Sequence, residues 1–140
     1  MIDYDKFEKS LKHLELQFNN FKMADERTDL SELDREAIAE SVIQRFEICF
    51  DCLWKVLKRY LVEDFGISEV VNSPKPIFRI TFENKLFTSD IAQWIKYADA
   101  RNDTSHDYSE GKANVVLEIA TDFISDAIDL YITMTGKIWE

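Results

Sequence analysis

Residues 34–66, DREAIAESVIQRFEICFDCLWKVLKRYLVEDFG, decide the fold of this chain. Apolar residues recur here every three or four positions, which is the spacing of one face of an α-helix. The pattern predicts a helix that begins at Leu33 or Asp34, runs to about residue 65 and is ended by Gly66. Because apolar residues also lie outside the main face, we expect this helix to pack against several neighbours. The main face carries Ile38, Val42, Phe46, Cys49, Leu53, Val56 or Leu57, and Tyr60, and the outliers are Phe50 and Trp54.

The segments on either side of this helix are also helical in pattern. One apolar stripe predicts a first helix over 3–22, and Ser73-Pro74 predicts the start of a third over about 74–86. Thr88, Ser89 or Asp90 caps a fourth helix to about Ala100, and the last helix spans about 110–136. The chain has 3 glycines and 2 prolines, too few for the turns of a many-stranded sandwich or barrel. The predicted fold is all-α, an antiparallel up-down bundle of four or five helices forming a single domain over 1–140.

The charge of the chain limits its partners. With 27 acidic and 17 basic residues, the net charge is −10, which argues against broad, sequence-blind binding to a phosphate backbone. It leaves room for a small cationic pocket that holds one or two phosphates. No run of 18 apolar residues predicts a membrane span, and the opening MIDYDKFEKS lacks the apolar core of a secretory signal. We therefore expect a cytoplasmic protein that does not enter a membrane.

Cys49 and Cys52 form a C-x-x-C motif in the middle of the long helix. A redox motif of this kind normally lies at a helix N-terminus, where the thiolate is stabilised. Structural zinc needs four ligands, and the sequence offers no second C-x-x-C or histidine pair. We interpret the two cysteines as buried structural thiols and predict neither a metal nor a cofactor.

The segment RNDTSHDY, residues 101–108, concentrates chemically active side chains. On an unbroken helix, Arg101 and His106 lie about 140° apart, so they meet one ligand only if the chain bends between them. Residues 102–105 favour turns and caps over helix interiors, and we expect them to supply that bend. The alternative interpretation pairs Arg101 with Asp103 or Asp107 and leaves His106 on the surface.

This segment resembles the signature of the HEPN proteins, in the subgroup called HepT or nucleotidyltransferase substrate-binding proteins. The signature is Arg101-x4-His106-x-Tyr108. The long helix agrees with the same family, because a Phe46-Glu47 pair precedes a Trp54-Lys55 pair. The resemblance covers about residues 35–130.

The resemblance implies both an assembly and an activity. It implies a helical bundle that forms a homodimer or higher oligomer and places the motifs of two chains near one cleft. It also implies a partner, a separate small nucleotidyltransferase of the MntA type, in a toxin–antitoxin pair. In HepT-like toxins the motif Arg and His, here Arg101 and His106, cleave RNA without metal, and the partner transfers AMP to the motif tyrosine, here Tyr108. The alternative is a non-catalytic substrate-binding subunit of that nucleotidyltransferase.

The chemistry of these side chains agrees with that activity. The imidazole of His106 can move a proton near neutral pH, and the Arg101 guanidinium can hold a phosphate and its developing charge. Asn102 or Ser105 can add a hydrogen bond. Supporting polar residues on the long helix are Glu47 and Lys55, which either orient the motif or are solvated charges. Trp94 and Tyr97 share one side of the fourth helix with Arg101, and we favour a core or interface role over a wall for stacking a base.

Overall fold

Five α-helices build the described part of the chain. The computed structural model describes the backbone of residues 1–106 and 110–140, and the side chains of residues 1–104 and 114–140. The helices are α1 (Asp5–Ala24), α2 (Glu32–Arg59), α3 (Pro74–Glu83), α4 (Ile91–His106) and α5 (Glu110–Thr135), and a π-helical turn (Tyr60–Asp64) continues α2. The all-α prediction is confirmed.

Helix α2 begins at a capping box. The Ser31 hydroxyl accepts a bond from the Asp34 amide, and the Asp34 carboxylate accepts one from the Ser31 amide, each at 3.0 Å. The cap places the start at Glu32, slightly before the predicted position. At the other end the α-helix stops at Arg59, before the predicted residue 65, and the π-helical turn carries the chain on towards Gly66, whose φ of 80° is the left-handed conformation expected of the predicted stop.

Helix α2 lies at the centre of the core and contacts all four other helices. The Phe46 ring meets Phe123 of α5 edge-on at 4.9 Å between centroids, and the Phe50 ring meets Phe78 of α3 in the same way at 5.7 Å. Such edge-to-face pairs stabilise a core beyond the area that they bury. The predicted packing of this helix against several neighbours is confirmed. Its buried apolar residues are Val42, Ile43, Phe46, Cys49, Phe50, Leu53, Val56 and Leu57.

An aromatic cluster joins α3 to α4. The Phe87 ring stacks on Trp94 with centroids 4.1 Å apart, and Trp94 meets Tyr97 edge-on at 5.3 Å. Trp94 and Tyr97 are fully buried, so their role is in the core and a base cannot stack on them. Helix α3 ends at Glu83, before the predicted residue 86, because Lys85 takes a φ of 59° and turns the chain.

The predicted end of α4 is wrong. The sequence pattern placed it near Ala100 and made residues 101–109 turn-like, whereas α4 continues through His106. Thr104 explains the difference, because it is fully buried and its hydroxyl lies 3.2 Å from the Glu47 carboxylate of α2. Packing against another helix therefore overrides the turn preference of these residues. The α5 bounds agree with the prediction, and no helix among the described residues is long and apolar enough to cross a membrane.

Candidate functional site

Arg101 connects the last turns of α4 to the middle of α2. Its Nη1 donates to Glu47 Oε2 at 2.8 Å, and its Nε and Nη2 donate to the two carboxylate oxygens of Asp51 at 3.3 and 3.1 Å. Glu47 and Asp51 are four residues apart on α2, so both carboxylates face the same direction. The exposed fraction is 23% for the Arg101 side chain, 16% for Glu47 and 38% for Asp51. We call these three residues the Arg101 clamp.

Thr104 adds a second contact to the clamp. Its hydroxyl lies 3.2 Å from the Glu47 oxygen that also receives Arg101, and 3.1 Å from the backbone oxygen of Arg101. One carboxylate oxygen of α2 is thus shared by two side chains of α4. Charge-assisted hydrogen bonds of this kind fix orientation as well as adding energy.

A buried polar group anchors α4 one turn before Arg101. The Tyr97 hydroxyl donates to Asp126 of α5, which also accepts from the Ser89 hydroxyl at 2.5 Å. The Gln93 amide donates to the Tyr97 oxygen at 3.1 Å. Burial, and then the bond to Asp126, raise the pKa of Tyr97 above its usual value, so the phenol stays a donor. This bond fixes α4 along α5 and thereby positions Arg101 against α2.

Of the predicted site residues that the structure describes, some contact Arg101 and others do not. Glu47 contacts Arg101 directly. Asn102 is exposed, and Lys55 is exposed with its Nζ 5.8 Å from the centroid of the Trp54 ring. The described ion partners of Arg101 lie on α2, so its pairing with Asp103 does not occur. The side chains of Ser105 and His106 lie outside the described residues, as do Asp107 and Tyr108 entirely.

The predicted bend between Arg101 and His106 is also wrong. Helix α4 is continuous from Ile91 to His106. Five residues of α-helix turn the chain by about 500°, so positions 101 and 106 differ by about 140° around the axis and by about 7.5 Å along it. A local turn therefore does not aim these two positions at one ligand.

Comparison with known proteins identifies the family. Residues 2–135 match the family described as "Nucleotidyltransferase substrate binding protein like". The chain belongs to this family.

Similar proteins agree with that assignment. The chain is 30% identical over 95 residues to a Haemophilus influenzae protein named probable ribonuclease HepT, which is 66% of this chain and 64% of that protein's length. Among solved structures, it superimposes on HI0074 of Haemophilus influenzae, described as showing the fold of a substrate-binding domain of a nucleotidyltransferase. The TM-score is 0.82 at 23% identity, over 94% of this chain and 98% of that one. A Thermus thermophilus protein gives a TM-score of 0.66 at 26% identity, over 87% of this chain and 98% of that one.

The sequence analysis of this family member did not predict Asp51 as a partner of Arg101. The signal was present, because Asp51 follows Glu47 by four residues and so shares its face of the helix. The sequence does not show that α2 packs against α4, and only that packing brings Arg101 to the face of α2 that carries Glu47 and Asp51.

The two cysteines of this family member differ in their surroundings. Cys49 is fully buried, and burial raises the pKa of its thiol to about 12, so it is an inert structural thiol as predicted. Cys52 is only partly buried, so the prediction of two buried thiols holds for Cys49 alone. The Cys52 side chain lines a groove between α1 and α2.

Proposed function

We propose that this chain is the HepT-like subunit of a two-component nucleotidyltransferase system of the toxin–antitoxin type. In this proposal it cleaves RNA without metal through Arg101 and His106. Membership of the substrate-binding-like family and the identity to a protein named probable ribonuclease HepT support it. The observation that carries it is the Arg101 clamp, which holds a partly exposed guanidinium in one orientation five residues before His106.

The proposed active centre needs more than one chain. Positions 101 and 106 point about 140° apart on the continuous helix α4. We therefore place the centre in a homodimer or higher oligomer, where the motifs of two chains meet at one cleft. That arrangement replaces the local bend as the means of bringing guanidinium and imidazole to one phosphate.

The reaction proposed for this centre is an internal phosphoryl transfer. The ribose 2′-hydroxyl attacks the adjacent phosphorus and His106 accepts its proton, while the bond to the 5′-oxygen of the next nucleotide breaks. The leaving 5′-oxygen takes a proton from water, and His106 then releases its proton to solvent. The products are a 2′,3′-cyclic phosphate and a 5′-hydroxyl. Arg101 stabilises the charge that builds on the phosphate oxygens. Glu47 and Asp51 act as positioning residues, because they orient the guanidinium before RNA arrives.

The regulation proposed for this centre is AMP transfer to Tyr108 by the separate nucleotidyltransferase. The phenol oxygen attacks the α-phosphorus of ATP, pyrophosphate leaves, and the phenol proton passes to solvent. The attached AMP adds bulk and negative charge two residues from His106. It therefore blocks the site and repels the RNA phosphate.

Cleavage by the purified chain tests this proposal. Incubated alone with RNA in EDTA, the protein is expected to release fragments that end in a 2′,3′-cyclic phosphate. His106→Ala should abolish cleavage, and Arg101→Lys, which keeps the charge but loses the planar fork, should slow it at least about tenfold. Lys96→Ala, at an exposed position on α4, is the matched control and should cleave normally.

Equal cleavage by the His106→Ala protein, with circular dichroism showing a folded chain, would exclude catalysis by this motif. Incubation with the cognate nucleotidyltransferase and ATP should add the mass of one AMP group per chain. Tyr108→Phe should prevent that addition.

A non-catalytic substrate-binding subunit is the second candidate, and one observation favours it. The two carboxylates of the clamp outweigh the single charge of Arg101, and an RNA phosphate has to compete with them. A stable complex with the nucleotidyltransferase, without RNA cleavage by the free chain, is the outcome expected for this candidate.

A further inference from the structure

A basic groove lies between α1 and α2, on a different side of α2 from the clamp. It has a volume of about 330 Å³ and is lined by Lys6, Lys9, Ser10, His13, Arg45, Ile48 and Cys52. We call it the α1–α2 groove. Its volume is at the lower end of the range for small-molecule pockets, about 300–1,000 Å³.

Helix geometry brings the basic residues to one edge. Lys6, Lys9 and His13 are spaced by three and four residues, so they form one stripe on α1. Helix α1 turns Phe7, Leu11 and Leu14 into the core, which leaves this stripe beside the groove. Across the groove, α2 contributes Arg45, Ile48 and Cys52 with the same spacing.

The cations of the groove form no described ion pair, and the carboxylates nearest to them line adjoining hollows, where Asp5 and Glu8 accompany Lys9. None of its lining residues is a carboxylate, and no ion pair in the described part of the chain includes Lys6, Lys9 or Arg45. Arg45 Nη1 instead lies 3.4 Å from His13 Nδ1, a long hydrogen-bond contact in which the guanidinium donates to the ring nitrogen, so this contact leaves the charge of Arg45 in place. In a chain of net charge −10, this local excess of positive charge indicates an anion as ligand.

The floor of the groove indicates what the anion carries. The Ile48 side chain is 55% exposed and Cys52 is partly buried, so apolar surface lies directly beside the cations. Inorganic phosphate alone would leave the apolar surface of Ile48 and Cys52 exposed to water. A ligand with a phosphate and a flat, weakly polar body covers both parts, because burial of apolar surface adds to the ionic contacts.

We propose that the α1–α2 groove binds a nucleotide, with its phosphate on Lys6, Lys9 and Arg45 and its base or sugar against Ile48 and Cys52. The nucleotide is either free or one unit of an RNA strand, since both present the same phosphate and base. None of Arg101, His106 and Tyr108 takes part, so this site stands whether or not the proposed function does.

A neighbouring hollow extends the groove towards the clamp. It has a volume of about 300 Å³ and shares Lys6 and Cys52 with the groove, and its charged lining includes the carboxylates of Asp3 and Asp51 as well as Lys55 and Arg59. Asp51 is a partner of Arg101. A strand longer than one nucleotide would have to pass the carboxylates of Asp3 and Asp51 to reach the clamp, whereas a free nucleotide occupies the groove alone.

Alkylation of Cys52 tests the proposal on the full-length protein without any need for activity. Iodoacetamide should modify Cys52 and leave the buried Cys49 unmodified, which makes Cys49 an internal control for folding. AMP, or a 2′-O-methyl hexanucleotide that cannot be cleaved, should slow the modification of Cys52. Inorganic phosphate at the same concentration should slow it much less.

Variants localise the effect. Lys9→Glu and Arg45→Glu should each weaken binding of the protecting ligand by about tenfold or more, since each removes a charge-assisted contact to its phosphate. Lys96→Glu makes the same charge change at an exposed position on α4 and should shift the dissociation constant less than about twofold.

Each result decides the proposal. Protection by AMP identifies a free nucleotide as ligand, and protection by the hexanucleotide alone identifies an RNA strand, so both support the site. Protection by neither overturns it. Equal protection by inorganic phosphate, or an equal loss in Lys96→Glu, also overturns it, because binding would then depend on bulk charge and not on the groove.

Discussion

Two arginines on different sides of α2 lie in opposite electrostatic settings. Arg101 reaches α2 from α4 and meets two carboxylates, whereas Arg45 belongs to α2 and faces His13 across a groove lined without a carboxylate. One side of α2 is therefore closed by an internal ion pair, and another presents positive charge to solvent. The net charge of the chain predicts neither the ion pairs of Arg101 nor the basic lining of the groove.

This difference in surroundings separates charged contacts that stabilise the free protein from cations that gain an anionic partner only when a ligand binds. The Arg101 clamp joins residues 50 and 54 positions apart in the chain, so its energy stabilises the packing of α4 on α2. In the groove, Arg45 makes only a long contact to His13, at 3.4 Å, and no described ion pair, so it adds little such energy in the free protein. Measurements of stability should therefore respond strongly at Arg101 and hardly at Arg45.

The largest effect is expected from Arg101→Ala. The substitution removes the described ion pairs that join α4 to Glu47 and Asp51 of α2, and buried pairs cost about 3–5 kcal/mol when one member is removed. Since Asp51 is 38% exposed and solvent screens it, we expect a loss of about 1–3 kcal/mol in the free energy of unfolding. Urea denaturation at neutral pH measures it, with Arg45→Ala as the matched control. Equal losses in the two variants would contradict the division between clamp and groove.

A smaller effect is expected at the other anchor of α4, from Tyr97→Phe. Loss of the bond to Asp126 should lower the free energy of unfolding by about 1 kcal/mol at pH 7. The pKa of Tyr97 is raised in the folded chain, so its stabilising contribution is complete below pH 10 and declines as the pH rises above that value. The Phe variant should therefore lose less stability than the native chain in alkaline solution. Parallel loss in both proteins between pH 10 and 11 would show that Tyr97 does not contribute.

The smallest effect is expected from Arg45→Ala. Its guanidinium has no described carboxylate partner, so the free energy of unfolding should change by less than about 0.5 kcal/mol. Removing the cation also relieves its repulsion from the basic residues of α1. Salt screens that repulsion, so 0.5 M NaCl should stabilise the native chain slightly more than the variant. A loss comparable to that of Arg101→Ala would mean that Arg45 holds the fold.

Much of the fold followed from the spacing of apolar residues. The stripes over 3–22, 34–65 and 110–136 each correspond to a helix, because one buried face needs only local periodicity. The error at residues 101–106 has a different origin. Their local preference for turns was correct in itself, but burial of Thr104 and the ion pairs of Arg101 come from α2, about 50 residues away in the chain.

The candidate site was only partly accessible for the same reason. Glu47 was selected through the family resemblance and does contact Arg101, whereas Asp51 and the basic stripe of α1 had no significance until helices were paired. The composition of the chain allows a small cationic pocket but does not indicate where in the fold such a pocket lies. Pairing α1 with α2 supplies that position, because Lys9 and Arg45 come from different helices.

The π-helical turn at Tyr60–Asp64 lies at the end of α2, away from the Arg101 clamp, and can absorb a change in chain length there. The Phe65 amide bonds to the Tyr60 oxygen at 2.9 Å, a loop one residue wider than that of an α-helix. Such a turn can accommodate an inserted or deleted residue by changing its own width. Asp51 lies about 13 Å upstream along the axis, more than two turns away. An insertion or deletion of one residue at this end of α2 should therefore leave the two carboxylates that receive the α4 arginine on the same face of the helix.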